Sequence, residues 1–578
     1  MKNKSIWILI LVLVFTLACG ANFISDRLLE LEGETNKLKA AISTAKQEMR
    51  RIDYDYLAKE VAVLEKTIWR SKELLKTKDN EDEATLLLVD ITSKLKDLRP
   101  FLYESLPVET RAMWVDRVTV ESFFNRDDIK RHLDLLQSIN INLIFIDVYN
   151  NGTSIYPSEV ATYLRRIELM YDGDDLLSDF ISEAHKRDME VHPLVRIFGL
   201  HNGAEYFTND RFHWFDKTKD NSYTLSNGFY WLNPVHPEVR EYMITLLKEL
   251  TQNYDIDGIH LDYIRYDTNF GYSQYTRDLF KSLFGVDPLN ISSPEMENTF
   301  TVFKTQFINK FVERTYTELK AIKPDLLLSA AVSAPYTWIK LDVGQDWVNW
   351  AKNRIIHFVT PMAYRTTARE YSAVINSDID ATSGSTYLYP GLGIYLLTDG
   401  ISALEQLKAA QDASVPGQAL YSTTNMKQVQ YKMLQEGPWS KPATPTYRDP
   451  QNSAHLILED LAKRIDEFQS ISDIDPSVAS EYVHLINNLS GKVASSDLRQ
   501  WDNRDLRLSS EQETILLEQL LDELARLKKQ VNKDSEDLKK LPDATSKRII
   551  RDLKQVENLL MPLYFTSKPF VYTSTTLL

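Results

Sequence analysis

Between residues 25 and 69 the apolar positions advance in steps of three and four: Leu28, Leu31, Leu38, Ile42, Ala45, Met49, Ile52 and Tyr56, with Thr35 interrupting the seam. This a/d pattern over several heptads predicts a long helix. A second helical run covers 82–98, with Leu88, Ile91, Leu95 and Leu98 on one face. Both stripes need a cover. The same chain offers further helices at its C-terminal end, so an intramolecular bundle is expected, with a stalk or coiled coil for self- or partner association as the alternative.

From residue 108 the period changes. Eight short apolar runs alternate with amphipathic helical runs: RAMWVD (111–116), INLIFIDV (141–148), MEVHPLVR (189–196), DGIHLD (257–262), LLLSAAV (326–332), IIHFVTP (355–361), YLYPGLGI (387–394) and GQALYS (417–422). Eight β/α alternations predict an α/β fold, a (β/α)8 TIM barrel. A doubly wound open sheet competes. It normally carries a Gly-rich phosphate loop after its first strand, and VDRVTVESFF (115–124) is not one. The Pro-rich EGPWSKPATPTYRDP (436–450) reads as a linker, and helical stripes resume at Leu458, Leu461, Ile465 and Phe468 and at Leu517, Leu520, Leu524, Leu527 and Val531. The expected organisation is therefore a leader (1–22), a helical or coiled-coil region (23–105), a barrel (106–436), a linker (437–450) and a C-terminal helical region (451–578).

The leader changes the picture of where the protein works. Lys2 and Lys4 precede an apolar run from Ile6 to Ala18, too short to span a bilayer comfortably, and Cys19 follows as the single cysteine of the chain. This reads as a secretory signal, with Cys19 as a candidate lipidation site and plain secretion or an uncleaved anchor as the alternatives. A secreted or cell-envelope location follows, with membrane association through the N-terminus. The formal net charge of −15 argues against a general nucleic-acid binder, which needs a basic face.

Active sites of such barrels lie at the C-terminal strand ends. Here polar residues collect where the apolar runs stop: Asp116, Asp147 with Tyr149, Arg196, Asp262 with Arg265, and Tyr364. Alternation along a strand places Gly258, His260 and Asp262 on one face. His192, His201, His213, His236 and His260 lack metal-ligand spacing and there is no GxSxG elbow, so neither a metal nor a cofactor nor a serine nucleophile is expected. A structural ion pair between Asp262 and Arg265 is the bland alternative to a catalytic Asp262.

The string GIHLDYIRY (258–266) resembles the signature of the glycosyl hydrolase-like 10 family. RAMWV, NLIFIDVYNNGTSIYPSE, MEVHPLVR, YWLNPVHPEVREYM, QDWVNW and FVTPMAY resemble further family segments in the same order, over residues 108–440. The family's Trp-Arg-Arg cluster has no counterpart around FKTQFINKFVERTY (303–316). The resemblance implies a glycoside hydrolase of bacterial envelopes with a polysaccharide substrate, cell-wall or exopolysaccharide. Such chemistry uses one protonated and one ionised carboxyl. Asp262 is assigned the ionised role and Asp147 the acid, with Asp116, Glu159 and Asp346 as other candidates for the acid. Asp346 reads equally as a helix N-cap. Substrate contacts are expected from Asp116, Tyr149, His192, Arg196, Trp231, Asn233, His260, Arg265, Asp346 and Tyr364, and sugar stacking also from Tyr156, Tyr206, Trp214 and Tyr230. A non-catalytic glycan-binding barrel and a helical envelope scaffold are the rival functions.

Overall fold

The computed structural model describes residues 20–570 apart from 77–79, 202–205, 208–210, 225–227, 337–341, 398, 500–504 and 538–539. Cys19 and most of the leader lie outside the described residues.

The central unit is a closed barrel of parallel strands: β1 (Thr110–Val115), β2 (Leu143–Asn150), β3 (Glu190–Arg196), β4 (Gly258–Asp262), β5 (Leu327–Ser333), β6 (Phe358–Met362), β7 in two halves (Tyr387–Leu388 and Gly391–Gly393) and β8 (Gly417–Tyr421). Each strand from β1 to β6 pairs with the next. The first half of β7 pairs with β6 and the second with β8, and β8 pairs with β1, which closes the ring. Pro390 marks the handover within β7. Tyr389 N–H still bonds Val359 O at 3.1 Å. Pro390 has no N–H to give, and its carbonyl accepts from Ala419 N at 3.1 Å. Amphipathic helices such as Arg126–Gln137 and Pro237–Asn253 bury one face against the outside of the ring.

The helix expected over 25–69 is two helices with a turn between Gln47 and Tyr54, and its seam is buried or half-buried except at its end, where Tyr56 is exposed. Helices α1 (Gly20–Gln47), α2 (Tyr54–Leu74) and α3 (Glu81–Leu98) pack on one another around Leu28, Leu31, Leu38, Leu57, Leu64, Leu88, Ile91 and Leu95. Thr35 is tolerated inside because its hydroxyl donates to Leu31 O at 2.8 Å. Helices α4 (Pro450–Phe468), α5 (Pro476–Ala494), α6 (Glu511–Asp534) and α7 (Asp543–Ser567) instead share one continuous core with the barrel. Tyr387 of β7 donates to Leu559 O of α7 at 3.0 Å.

The two helical regions meet at a buried charge cluster. Glu104, in the segment between α3 and β1, accepts from Arg464 at 2.8 Å, from Arg51 N at 3.2 Å and from Arg548. Arg548 and Arg551 bond Asp552 at 2.7 and 2.9 Å, and Arg464 bonds Asp460 at 2.7 Å. Burial pushes the Glu104 carboxyl up, but Arg464, Arg548 and Arg551 outweigh it and hold it well below the usual carboxylate range.

Segment 436–450 differs from the expected linker. Trp439, Thr446 and Tyr447 are fully buried. Thr446 meets the first residue of β1, Thr110, at 2.7 Å, and Tyr447 packs against His192, Phe358 and Tyr389. The segment seals the floor of the barrel. Its prolines exclude regular structure without excluding burial.

Candidate active site

The inner face of β4 is built in layers. At the floor, a Cβ on Gly258 would stand 2.4 Å from the His192 ring, so only glycine fits beneath that imidazole. One layer up, His260 stacks on Phe145 with centroids 3.8 Å apart. Trp114 Nε1 donates to His260 Nε2 at 3.3 Å, so the proton sits on Nδ1 and is donated to Ser329 Oγ at 2.9 Å. Burial drives the His260 pKa far down, which fits this neutral tautomer. His192 and His260 are thus interior packing beneath the mouth, not substrate contacts.

The top layer carries Asp262. The residue is half-buried, and its Oδ1 accepts from Tyr263 N at 2.7 Å. Burial deep in the mouth raises its pKa; Arg196 and Arg265 oppose the rise and the nearby Asp147 adds to it. The ion pair with Arg265 weighed from the sequence is not formed. Arg265 donates to Tyr266 O at 3.0 Å and lies over the rings of Trp231 and Tyr263, 5.3 Å from each centroid.

Asp147 stands two strands away. Register places Arg196 of β3 beside Asp262 of β4, and Asp147 of β2 beside Leu194. From there Arg196 donates to Asp147 Oδ2 at 3.0 Å, Asn150 donates to the same oxygen at 3.0 Å, and Arg117 approaches Oδ1 at 3.7 Å. Among the described residues, Asp147 Oδ1, Asn150 Oδ1, Arg196 Nε and Arg117 Nε and Nη1 are buried and make no hydrogen bond. Tyr364 and Tyr421 stack at 5.5 Å on the far side of the mouth, with Tyr395 edge-on to both. Arg117, Tyr263 and Tyr421 were not singled out from the sequence. Each adjoins or ends a strand tip, and that position was the available signal.

Other expected contacts are placed elsewhere. Asp116 is at the mouth, but its oxygens accept from Thr119 N (3.1 Å), Thr424 N (3.2 Å) and Ser422, capping a short helix and tying β1 to β8. Burial raises its pKa, and these donors outweigh that and lower it. Tyr149 points outward and is buried against Tyr242, with hydroxyls 3.4 Å apart. Trp231 is buried, its Nε1 donating to Arg265 O at 2.8 Å, so it supports the mouth loop from behind. Asn233 is spent on Ser273 and Val235 N. Glu159 lies over the outer helix, its N–H bonded to Glu249 at 2.7 Å, and Tyr156 is buried on the same carboxylate. Trp214 bonds Glu238. Asp346 occupies an N-cap position without a side-chain cap bond and accepts from Tyr336 OH at 2.5 Å. Tyr336 N in turn donates to Asp378, a carboxyl that burial raises to about 7. Among the described residues no group of His, Cys, Asp and Glu is arranged to hold a metal ion.

Residues 109–396 match the model of the family described as glycosyl hydrolase-like 10. Over this stretch the chain belongs to that family. The match starts with β1 and ends in the loop after β7, so β8 and both helical regions lie outside it. Among curated proteins, the chain is 25% identical over 240 residues to glycosyl hydrolase YngK of Bacillus subtilis (strain 168), covering 37% of this chain and 43% of YngK. It is 23% identical over 197 residues to an S-layer-related protein of Niallia circulans, covering 30% of this chain and 12% of that one. The chain therefore spans less than half of either relative. Among solved structures, the glycoside hydrolase domain of PgaB (BpsB) from Bordetella bronchiseptica aligns with 57% of this chain and 98% of that chain, at 11% identity and a TM-score of 0.45.

Proposed function

We propose that this glycosyl hydrolase-like 10 member is a glycoside hydrolase acting on an extracytoplasmic bacterial glycan, cell-wall or exopolysaccharide, with Asp262 and Asp147 as its reacting carboxyls. One observation carries the reading. Asp262 is a half-buried residue at the mouth whose carboxyl makes no direct ion pair among the described residues, and Arg196 beside it binds a second carboxyl. The relatives named above and the apolar leader support the extracytoplasmic substrate.

We assign the two roles in the opposite sense to the expectation from the sequence. Burial favours the protonated form of Asp262, which suits it to give its proton to the glycosidic oxygen as the bond to the anomeric carbon breaks. Asp147, held by Arg196 and flanked by Arg117, is the charged partner whose field favours the positive charge developing on the sugar. A glycan-binding barrel is the second reading, favoured by the 1% exposure of Asp147, which places it behind Asn150 and Arg196.

Asp262→Asn decides between them. Turnover of purified glycan should fall at least ~100-fold, the usual contribution of an acid catalyst, with binding and melting temperature retained. Wild type that binds glycan and never cleaves it makes the barrel a binding module. Wild type that does neither leaves the helical scaffold as the working part.

A further inference from the structure

Resting on this reading, we infer that Tyr263, Tyr364 and Tyr421 form a collar of hydroxyl donors around Asp262 that grips the sugar being cleaved. Tyr263 follows β4, Tyr364 follows β6 and Tyr421 ends β8, so three strand ends bring the phenols to the mouth that holds Asp262, near enough for its charge to act on each. Most phenols buried elsewhere find protein partners, Tyr149 with Tyr242, Tyr156 with Glu249, Tyr371 with Pro390 O and Tyr389 with Thr446, Tyr266 being an exception among the described residues. The three collar residues are only partly buried, and among the described residues their hydroxyls bond no protein group.

Their rings are nevertheless held. Tyr263 has a left-handed backbone, φ 51°, rarely adopted by a bulky residue. Its ring lies against Gly199, where a Cβ would come within 2.6 Å of it, and guanidinium groups of Arg196 and Arg265 lie 5.3 Å from its centroid. Tyr364 uses the space left by two glycines of β7: a Cβ on Gly391 or Gly393 would approach it at 3.2 or 3.0 Å. Tyr421 is fixed by stacking on Tyr364 and by Trp114 edge-on at 5.9 Å. Fixed rings with unspent hydroxyls suit a polyhydroxylated ligand, because each orienting cost is met before binding. Burial is the main reason all three phenols titrate high, with Asp262 adding to it, so they remain donors through alkaline pH; Tyr421 is pushed up to about 12.

The test is Tyr→Phe at each position and in the triple variant. Phenylalanine keeps the ring, the guanidinium contacts and the glycine contacts and removes the hydroxyl alone. Against purified cell-wall glycan strands and a secreted exopolysaccharide, each single change should lower kcat/KM about 3- to 10-fold, the usual range for one hydrogen bond. The triple change should multiply these losses, with melting temperature unchanged. Tyr389→Phe, at the barrel floor, should leave kcat/KM unaltered. If wild type cleaves and all collar variants cleave equally well, the collar is overturned while the hydrolase reading stands. If wild type binds without cleaving, the same variants are compared by affinity: weaker binding supports the collar, and equal binding overturns it. If wild type neither binds nor cleaves either polymer, both readings fall.

Discussion

The molecule buries charge in two places and treats it differently. At the junction of the helical regions, Glu104, Asp460 and Asp552 face Arg464, Arg548 and Arg551, and their carboxylates are bonded to those guanidiniums. At the barrel mouth, Asp147 and Asp262 face Arg117 and Arg196, and among the described residues five buried polar atoms of Asp147, Asn150, Arg196 and Arg117 have no hydrogen-bond partner. At the junction the cations win against burial and Glu104 stays ionised. At the mouth burial wins and the Asp262 pKa rises. The junction leaves one buried polar atom of its guanidiniums, Arg464 Nε, without a partner among the described residues, so its network is the more nearly satisfied and holds one geometry, whereas the mouth keeps more polar atoms able to bond a further group. Charge content alone does not distinguish the two; the bonding left over does.

The largest expected effect breaks the junction. Glu104→Ala takes one carboxylate from each of the buried Arg464 and Arg548, leaving them Asp460 and Asp552 alone, and should cost ~3–5 kcal/mol in chemical denaturation. A loss below ~1 kcal/mol would show that the junction is no better knit than a surface pair. An intermediate effect concerns Asp378, which lies in neither cluster. Its folded pKa, about 7, is above the ordinary 3.8. Its contribution to stability is therefore fully present below the unfolded value and is lost as pH rises through 7. Asp378→Asn should flatten that decline and stabilise the protein at pH 8 by on the order of 1–3 kcal/mol, with little gain at pH 4. Equal melting shifts at both pH values would refute the burial account. The smallest effect sharpens the mouth. Arg265 opposes the rise in the Asp262 pKa, so Arg265→Met should move the alkaline limb of the pH–rate profile to higher pH by a fraction of a unit. A shift toward acid would show that Arg265 does not hold the Asp262 pKa down.

Much of this was legible in the chain. The eight strand runs each overlap an observed strand because apolar, β-branched stretches bounded by turns have few other places to go. The seam reads correctly as buried over Leu28, Leu31, Leu38 and Ala45, because partners follow in α2 and α3, but the single helix expected over 25–69 is broken between Gln47 and Tyr54 and Tyr56 is exposed. What was not legible is which way strand-end side chains point. Phe145, Asp147 and Tyr149 would share a face in a regular strand. A register shift between Asp147 and Tyr149 breaks the alternation, and Tyr149 faces the outer helix. Depth was hidden as well. His192 and His260 lie on the inner face as alternation demands, yet below the mouth, because depth depends on where each strand starts in the closed ring. Loop positions such as Asn233 and Asp346 carry no period from which to read a direction.

The stopper at the barrel floor has a consequence for the order of synthesis. All eight strands leave the ribosome before Trp439, Thr446 and Tyr447 do, so the ring can pair its strands while its lower end is still open to water. The composition boundary at Glu436 is thus a poor place to cut. A chain ending there keeps every strand but exposes the floor around Thr110, His192 and Phe358, which Thr446 and Tyr447 cover. An independently folding barrel has to extend past Tyr447, into residues that by composition belong to the neighbouring region.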